Sequence, residues 1–541
     1  MESLAGDLNQ MQRTPLFAEH VAHLESIGKR VSFSDGDGVY DIGQPMDRFV
    51  YVLSGELELV NPITNQRHFP HGIGPAQFAG EIAFLNGGVV TMPMRAACTT
   101  ETIVVERVAM LKAMSQIPEM SDIVISVYAA RRRRLLEAGD SGLIIVGAEE
   151  NAEMRLIATF AARNKIPVNL LELGCPDALE KAEACAIATQ QPAVIFGKDQ
   201  VIENPTPAKV AKVLGLDLSL AEDAVVDTLI VGGGPSGVAA GVYAGAEGLS
   251  ALVVEALAVG GQAGTSSRIE NYMGFPTGIS GADLVWRGEI QAMKFGTQFA
   301  VPRRVVSLAQ ESGNLFCATL DDGFRVLAKS VLVATGVQYR RLPLSNIEHF
   351  EGAGVYYAAT ESETRYCRDT EVIVVGGGNS AGQAAMYLSR SADHVHVLVR
   401  RDSLAASMSE YLASRLDADP RITVHFESEI GALKGDQFLQ SVVINHKGQT
   451  ATREIQCAAV FLMVGAAPNT DWLTDLVHLD DRGFVLTGDS AERSSAFETS
   501  CPGIFAVGDV RSGSVKRVAS SVGEGSVVIS AIWQYLQDAE T

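Results

Sequence analysis

Apolar and polar residues alternate in different ways along the chain, and the changes divide it into regions. Between about residues 30 and 108, short runs alternate apolar with polar positions and end at glycines, as in residues 48–60, RFVYVLSGELELV. Such alternation predicts short strands with one buried face, as in a small barrel. Apolar positions at helical spacing follow through residues 107–138. We therefore predict a small β-barrel with C-terminal helices over residues 1–138.

Four consecutive arginines, at positions 131–134, lie near the end of this predicted helix. Basic runs also occur in nucleic-acid-binding proteins, but no helix-turn-helix pattern follows this one. Positive charge is favourable at the carbonyl end of a helix. We therefore expect a solvated helix end beside a linker at residues 139–142.

The next region, residues 139–221, alternates short apolar runs with helical segments. Strands are predicted at 143–146, 167–173 and 193–196, and helices up to residue 160 and at 177–189 and 206–213. This order resembles a thioredoxin-like fold, and Pro192 resembles the proline that is cis in thioredoxins and glutaredoxins. The segment directly after the first strand, residues 147–152, contains no cysteine. We expect a structural or docking role for this unit, without dithiol chemistry.

A glycine-rich turn follows the apolar run at residues 225–231 and leads into a predicted helix. Its sequence is Gly232, Gly233, Gly234, Pro235, Ser236 and Gly237. Such a turn between strand and helix brings backbone amides close to a pyrophosphate. The next strand ends in Glu255, a carboxylate that can accept hydrogen bonds from a ribose. The pattern predicts binding of FAD.

The same pattern recurs after residues 371–375. The second turn consists of Gly376, Gly377, Gly378, Asn379, Ser380 and Ala381, and the next strand is followed by Arg400 and Arg401. Guanidinium groups pair with a 2′-phosphate, which a carboxylate would repel. The second site is therefore predicted to bind NADPH.

With these two sites, residues 222–541 resemble the thioredoxin reductase family. The motifs that carry the resemblance are GGQ at 260–262, IEN at 269–271, VATG at 333–336, GAAPNT at 465–470, GIFAVGD at 503–509 and RVA at 517–519. The resemblance implies an α/β fold of two Rossmann-like domains, a discontinuous FAD domain (222–340 and 465–541) and an inserted NADPH domain (341–464), in a homodimer. It places further FAD contacts at Gly261, Gln262, Thr265, Asn271, Thr335, Gly336, Gly508, Asp509, Arg517, Val518 and Ala519.

The chain departs from this family where a C-x-x-C pair is expected. Ala358 and Glu361 occupy the two cysteine positions, so no thiolate there can take electrons from the flavin. Cys367 lies nearby, and we expect it to be a packed core residue. Ala405 replaces a residue that is usually basic, which leaves NADH as an alternative donor. No catalytic side chain is assigned, because the cofactors perform hydride transfer.

The predicted barrel contains a second resemblance, to cyclic nucleotide-binding domains. Gly80 and Glu81, followed by Arg95 and Ala96, are similar to the cassette in which a glutamate binds the ribose and an arginine binds the cyclic phosphate. The spacing between Glu81 and Arg95 is longer than usual in that family. A cyclic nucleotide, another small ligand, or packing alone remain alternative roles for the barrel.

Composition restricts the functional class further. The 541 residues carry 64 acidic and 43 basic side chains, a net charge of −21, which disfavours binding to nucleic acid or anionic membranes. Seven cysteines without metal-ligand spacing suggest a reduced, cytoplasmic protein with no metal site. Neither an export signal nor a membrane span is expected.

Three functions are compatible with these features. The first is an FAD-dependent NAD(P)H oxidoreductase that passes electrons to an acceptor not yet identified, under control of a cyclic nucleotide. Quinones, oxygen, a ferredoxin-like protein and a partner's disulfide are the candidate acceptors. The second is a thioredoxin-disulfide reductase, and the third a non-catalytic redox or nucleotide sensor.

Overall fold

The structure is a computed structural model. It describes residues 13–61, 65–138, 142–148, 151–185, 187–188, 191–197, 200–216, 225–266, 269, 272–311, 314–344, 346–351, 353–357, 359, 367–405, 407–449, 452–473, 476–493 and 495–540.

The N-terminal unit is a barrel of two three-stranded sheets with helices at both ends. Its elements are α1 (Ala18–Ile27), β1 (Lys29–Phe33), β2 (Gly38–Tyr40), β3 (Arg48–Ser54), β4 (Leu57–Leu59), α2 (Ala83–Asn86), β5 (Met94–Ala96), β6 (Thr100–Glu106), α3 (Arg107–Gln116) and α4 (Pro118–Ala138). The sheets have the orders β1-β6-β3 and β2-β5-β4. Phe49, Phe78, Phe84 and Tyr128 are fully buried, so α4 contributes directly to the barrel core.

The second unit is a four-stranded sheet covered by helices. Its elements are β7 (Leu143–Val146), α5 (Ala152–Arg163), β8 (Asn169–Leu171), α6 (Pro176–Ala184), β9 (Ala193–Phe196), β10 (Gln200–Val201) and α7 (Pro207–Val213). The order is β10-β9-β7-β8, with β7 parallel to β8 and antiparallel to β9. Apart from β10, the strands and helices follow the order predicted for a thioredoxin-like unit. The peptide before Pro192 is trans, contrary to the resemblance, since Val301–Pro302 is the cis bond found in the described residues.

The thioredoxin-like unit docks on the barrel through the segment between Glu81 and Arg95. The Val89 amide donates to the Leu214 carbonyl at 3.2 Å, and the Gly142 amide donates to the Thr91 carbonyl at 3.2 Å. Ile42 and Val89 of the barrel also pack against the core of the thioredoxin-like unit. The residues that lengthen the spacing between Glu81 and Arg95 therefore contact the thioredoxin-like unit.

A larger α/β unit begins at β11. Its first elements are β11 (Val225–Val231), α8 (Pro235–Ala246), β12 (Ala251–Val254), α9 (Gly281–Lys294), β13 (Gln298–Ala300), β14 (Val305–Gln310), β15 (Phe316–Leu320), β16 (Arg325–Val333) and β17 (Val337–Tyr339). Strands β13, β12, β11 and β16 are parallel neighbours, and β15 and β14 extend the sheet in antiparallel fashion.

A second parallel sheet is inserted in this unit. Its elements are α10 (Ile347–Phe350), β18 (Val355–Tyr356), β19 (Glu371–Val375), α11 (Asn379–Leu388), β20 (His394–Leu398), α12 (Glu410–Ala418), β21 (Ile422–His425), β22 (Ser428–Gly435), β23 (Leu439–His446), β24 (Arg453–Gln456), β25 (Ala459–Leu462) and β26 (Ala466–Pro468). The parallel sheet has the order β18-β25-β19-β20-β21, and β22, β23 and β24 form a separate antiparallel sheet.

The chain then returns to the first α/β unit with β27 (Ile504–Ala506) and α13 (Val518–Glu540). Strand β27 pairs in parallel with β16, which completes the seven-stranded sheet. Strands β17 and β26, where the chain leaves and re-enters this unit, pair with each other in antiparallel fashion. The inserted unit is thus joined to the rest by a two-stranded ribbon.

The barrel also packs against the first α/β unit. Helix α9 contacts α2 and α3, and Ile290 and Met293 belong to the same buried cluster as the barrel phenylalanines. An ion pair of 2.7 Å joins Lys294 to Asp122 on α4. Among the described helices, none has the length and apolar character needed to cross a bilayer.

Candidate cofactor and ligand sites

The first glycine-rich turn has the close packing that its sequence predicts. A Cβ atom at Gly232, where φ is +110°, would lie 2.4 Å from the Ala334 carbonyl oxygen. One at Gly237 would lie 1.9 Å from the Gly232 carbonyl oxygen. A Cβ at Gly234, by contrast, would meet none of the described atoms within 4 Å. Gly234 is the N-cap of α8, so the open space lies at the positive end of that helix.

Glu255 follows β12 at the same edge of the sheet. One carboxylate oxygen accepts from the Gly233 amide at 2.8 Å and the other from the Leu257 amide at 2.9 Å. These two bonds fix the carboxylate beside the turn, and each oxygen keeps a further lone pair for a ribose hydroxyl. Pro235 and Ser236 open α8, and Ser236 is buried.

The loop at residues 260–266 covers the other side of this open space. A Cβ at Gly261 would lie 3.1 Å from the Gly234 Cα atom. The side-chain amide of Gln262 donates to the Val337 carbonyl. The Thr265 hydroxyl donates to the backbone carbonyl of Gln262 at 2.7 Å. Asn271, the other residue predicted here, lies outside the described residues.

The segment after β16 ties this loop region to the ribbon. The Thr335 hydroxyl donates to the Asn469 carbonyl at 2.9 Å, and the Asn469 side-chain amide donates to the Thr335 carbonyl at 3.0 Å. The Asn469 amide also donates to the Gly336 carbonyl at 3.2 Å. Asn469 therefore holds the predicted Thr335 and Gly336 in place.

Asp509 lies in the turn between β27 and α13. Its Oδ1 atom is buried and accepts no hydrogen bond from the described residues, and burial raises the pKa of this carboxyl. Gly508 is held by a 2.7 Å bond from its amide to Glu524, which also pairs with Arg511 at 2.7 Å. This Glu524–Arg511 pair was not predicted from the sequence, because neither residue belongs to a recognised motif.

The last predicted residues of this site, Arg517, Val518 and Ala519, lie at the start of α13, and Arg517 and Ala519 are exposed. Three features of the site match parts of the predicted FAD. The open space at Gly234 suits a pyrophosphate, Glu255 suits a ribose, and the unsatisfied Asp509 oxygen suits a hydroxyl donor. The residues present therefore fit FAD.

The second turn repeats this geometry with different charges. A Cβ at Gly376 would lie 2.4 Å from the Met463 carbonyl oxygen, and Gly378 caps α11. The Asn379 side chain accepts from the Ser409 amide at 2.8 Å, Ser380 is exposed and Ala381 is buried. Arg400 and Arg401 follow β20 and are exposed, and neither forms an ion pair with another described residue. This arrangement fits a dinucleotide with a 2′-phosphate.

The cysteines provide no redox pair within the described structure. All seven lie within the described residues and none forms a disulfide there, and Cys98 is the exposed one among them. Cys367 is fully buried in the core of the inserted unit, which confirms its prediction as a core residue. Ala358 and Glu361 lie outside the described residues. No group of metal-binding side chains occurs in the part of the chain that is described.

The barrel encloses a cavity of about 110 Å³. Its wall combines apolar residues with several charged and polar ones. The apolar residues are Met46, Leu59, Phe69, Ile73, Val90, Met92, Met94 and Leu135, and the charged or titratable ones are Arg13, Tyr40, His71, Glu81, Arg131 and Arg134. Gly80 also lines it, with φ of +114°.

The structure does not bring Arg95 to this cavity, contrary to the prediction. Met94 and Ala96 are buried inside the barrel, so the alternation of β5 turns Arg95 to the outer face. There it pairs with Glu58 at 2.7 Å. The basic groups at the cavity come from α4 and from Arg13.

The expectation of a solvated arginine run at the end of α4 was also wrong. Arg131 donates to the Phe78 and Gly80 carbonyls at 2.7 and 2.9 Å, and burial lowers its pKa to about 10, so it stays charged at neutral pH. Arg132 pairs with Glu81 at 2.6 Å. The other Glu81 oxygen, Oε1, is buried and has no hydrogen-bond partner among the described residues.

Comparison with known proteins agrees with this geometry. Residues 226–525 match the family model for pyridine nucleotide-disulphide oxidoreductases, and residues 30–117 match that for the cyclic nucleotide-binding domain. A thioredoxin reductase of Treponema pallidum (strain Nichols) is 34% identical over 310 residues, 57% of this chain and 97% of that protein. One of Streptomyces clavuligerus is 34% identical over 302 residues, 56% of this chain and 91% of that protein.

A solved structure shows the same similarity. The crystal structure of Lactococcus lactis thioredoxin reductase (FR conformation) has 29% sequence identity and a TM-score of 0.52, and the match covers 58% of this chain and 99% of that one. The matched share of this chain corresponds in size to its two α/β units.

Proposed function

Since the chain belongs to the pyridine nucleotide-disulphide oxidoreductase family, we propose that it passes electrons from NADPH to an acceptor outside its own polypeptide. It is an FAD-containing NAD(P)H-dependent oxidoreductase of thioredoxin reductase type. The acceptor is the point at which this chain differs from its relatives. One observation carries the proposal: the chain has two glycine-rich dinucleotide fingerprints but no C-x-x-C sequence.

The chain's own residues bind and orient the cofactors. When bound, FAD supplies the hydride-accepting chemistry, so no protein acid or base is required. Glu255 and Asp509 anchor opposite parts of the FAD site, and the amides at the start of α8 offer hydrogen bonds to its phosphates. Arg400 and Arg401 select the phosphorylated nicotinamide cofactor.

A thioredoxin-disulfide reductase is the alternative suggested by the similarity to relatives. That reaction passes electrons through a dithiol, and Ala358 and Glu361 occupy the two positions where the family carries it. Of the seven cysteines, Cys317, Cys367 and Cys457 are buried. Burial also raises the pKa of Cys457 to about 12, so it is not a thiolate at neutral pH.

The barrel is proposed to bind a regulatory anion. The match to cyclic nucleotide-binding domains makes a cyclic nucleotide the first ligand to test. With Arg95 on the outer face, the phosphate would be held by Arg131 and Arg134, and the free Glu81 oxygen would accept from a hydroxyl. A non-catalytic sensor remains the alternative if the ligand changes assembly without changing turnover.

Acceptor assays test this proposal. Purified holoprotein is supplied with NADPH and, in parallel, a quinone, ferricyanide, thioredoxin or an aromatic disulfide, with and without cyclic AMP. We expect turnover with the quinone or ferricyanide that survives alkylation of the cysteines, and no turnover with thioredoxin. Thioredoxin turnover that alkylation abolishes would support the reductase instead. Negligible turnover with every acceptor would support the sensor.

A further inference from the structure

The thioredoxin-like unit, which has no C-x-x-C pair, contacts the FAD site through the end of one helix. Arg163, the last residue of α5, donates to the Gly261 carbonyl at 3.3 Å. Asn164, the next residue, donates to the Leu257 carbonyl at 3.1 Å. Lys165 forms an ion pair of 3.6 Å with Asp283. Three consecutive side chains of one unit therefore bind another.

The residues that they bind surround the flavin-binding loop, residues 257–266. The Gly260 amide donates to the Gly233 carbonyl at 2.7 Å, which joins this loop to the first glycine-rich turn. Asp283 lies in the first turn of α9, and the amide of Gly281 in that same turn donates to the Ser266 carbonyl at 2.9 Å. The contacts thus hold the loop at its beginning, at its middle and at the helix that follows it.

The contacts use only groups whose role does not depend on redox chemistry. Guanidinium and amide donors to backbone carbonyls restrict where the carbonyls, and hence the loop, can lie. A loop already held in its binding conformation loses less entropy when a ligand binds. We propose that Arg163, Asn164 and Lys165 are positioning residues for the flavin-binding loop. Through them, the thioredoxin-like unit helps the protein to retain bound FAD.

The same segment is connected to the barrel cavity. Arg132, which pairs with Glu81, also donates to the Lys165 carbonyl at 3.0 Å. Both charged side chains of the Arg132–Glu81 pair are largely buried, with 11% and 13% exposure. The positioning residues therefore lie between a carboxylate of the barrel cavity and the loop at the FAD site.

The experiment measures FAD dissociation from the full-length holoprotein. FAD fluorescence is followed after dilution into buffer without flavin, and hydrogen exchange is measured over residues 257–266. The variants are R163A and N164D, because N164D reverses the polarity toward the Leu257 carbonyl without changing side-chain size. We expect dissociation on the order of 10-fold faster for each, the loss of one such hydrogen bond, and faster exchange in the loop.

Two controls separate positioning from general destabilisation. K209A removes an exposed lysine of the same unit whose ammonium donates to the Glu203 carbonyl, and it should leave FAD dissociation unchanged. R163K keeps a cationic donor and should restore most of the retention. Wild-type dissociation rates in R163A and N164D would overturn the proposal, as would an equal effect of K209A. Because flavin release is measured directly, the result is independent of the electron acceptor.

Discussion

At the scale of single residues, the charge at one structural position distinguishes the two cofactor sites. Glu255 follows β12 of the first α/β unit, and Arg400 lies after β20, the corresponding strand of the inserted unit. A carboxylate accepts from ribose hydroxyls, whereas a guanidinium pairs with a 2′-phosphate. The sequence therefore predicts a different nucleotide for each site, and the preference for NADPH over NADH stays a prediction.

Replacing both exposed arginines tests this assignment. R400A/R401A should lower kcat/KM for NADPH by roughly 10- to 100-fold, because each of these two exposed charged contacts contributes about 1 kcal/mol, and should leave NADH reduction of the flavin nearly unchanged. R390A, an exposed arginine in the same unit, is the matched control. Equal losses with both nucleotides would mean that the arginines do not recognise the 2′-phosphate.

Other residues could not be placed from sequence. The cassette resemblance predicted Arg95 as a phosphate ligand, but the alternation of Met94 and Ala96 puts it on the outer face of β5. That alternation was present in the sequence and was the available signal. Arg132 gave no such signal, because its partner Glu81 lies in another element and its burial depends on units that follow later in the chain.

At the scale of elements, helix α9 joins the FAD site to the barrel. Its first turn holds the flavin-binding loop, and its later turns pack against α2 and α3. Glu289 lies on this helix, where burial raises its pKa to about 7 although Arg132 lowers it in part. A carboxyl group in this environment prefers its neutral, protonated form.

Glu289 should therefore make stability depend on pH. The pKa of this carboxyl is about 4.5 in the unfolded chain and about 7 in the folded state, so the folded protein binds the proton more tightly. Its contribution to the free energy of unfolding is fully present below about pH 4.5 and is lost as the pH rises through about 7. Between these two pH values, the free energy of unfolding should fall by roughly 3 kcal/mol. The free energy of unfolding, measured from pH 5 to 8, should fall in the wild type and stay flatter in E289Q.

The control for this measurement is E247Q, which changes an exposed glutamate at the end of α8. It should follow the wild-type pH dependence. If E289Q also follows the wild type, Glu289 does not titrate in this range and its partly buried position does not raise its pKa.

At the scale of the whole molecule, the structure contains a barrel similar to cyclic nucleotide-binding domains, a connecting thioredoxin-like unit and two α/β units of the oxidoreductase family. The fold class was predictable, because the fingerprints, the strand–helix order and the family motifs are local patterns, and the comparisons confirm it. The contacts between units were not predictable. They depend on residues such as Val89 with Leu214, or Arg163 with Gly261, that are far apart in the chain and carry no motif.

The whole molecule is expected to carry electrons without an internal dithiol, because the chain has no C-x-x-C sequence. The decisive experiment is an anaerobic titration of the oxidised holoprotein with NADPH, followed by flavin absorbance. We predict complete two-electron bleaching at about one equivalent of NADPH per flavin, because the flavin is then the only two-electron store. A requirement for about two equivalents would reveal a second two-electron centre, such as a disulfide, and would show that electrons do pass through an internal dithiol.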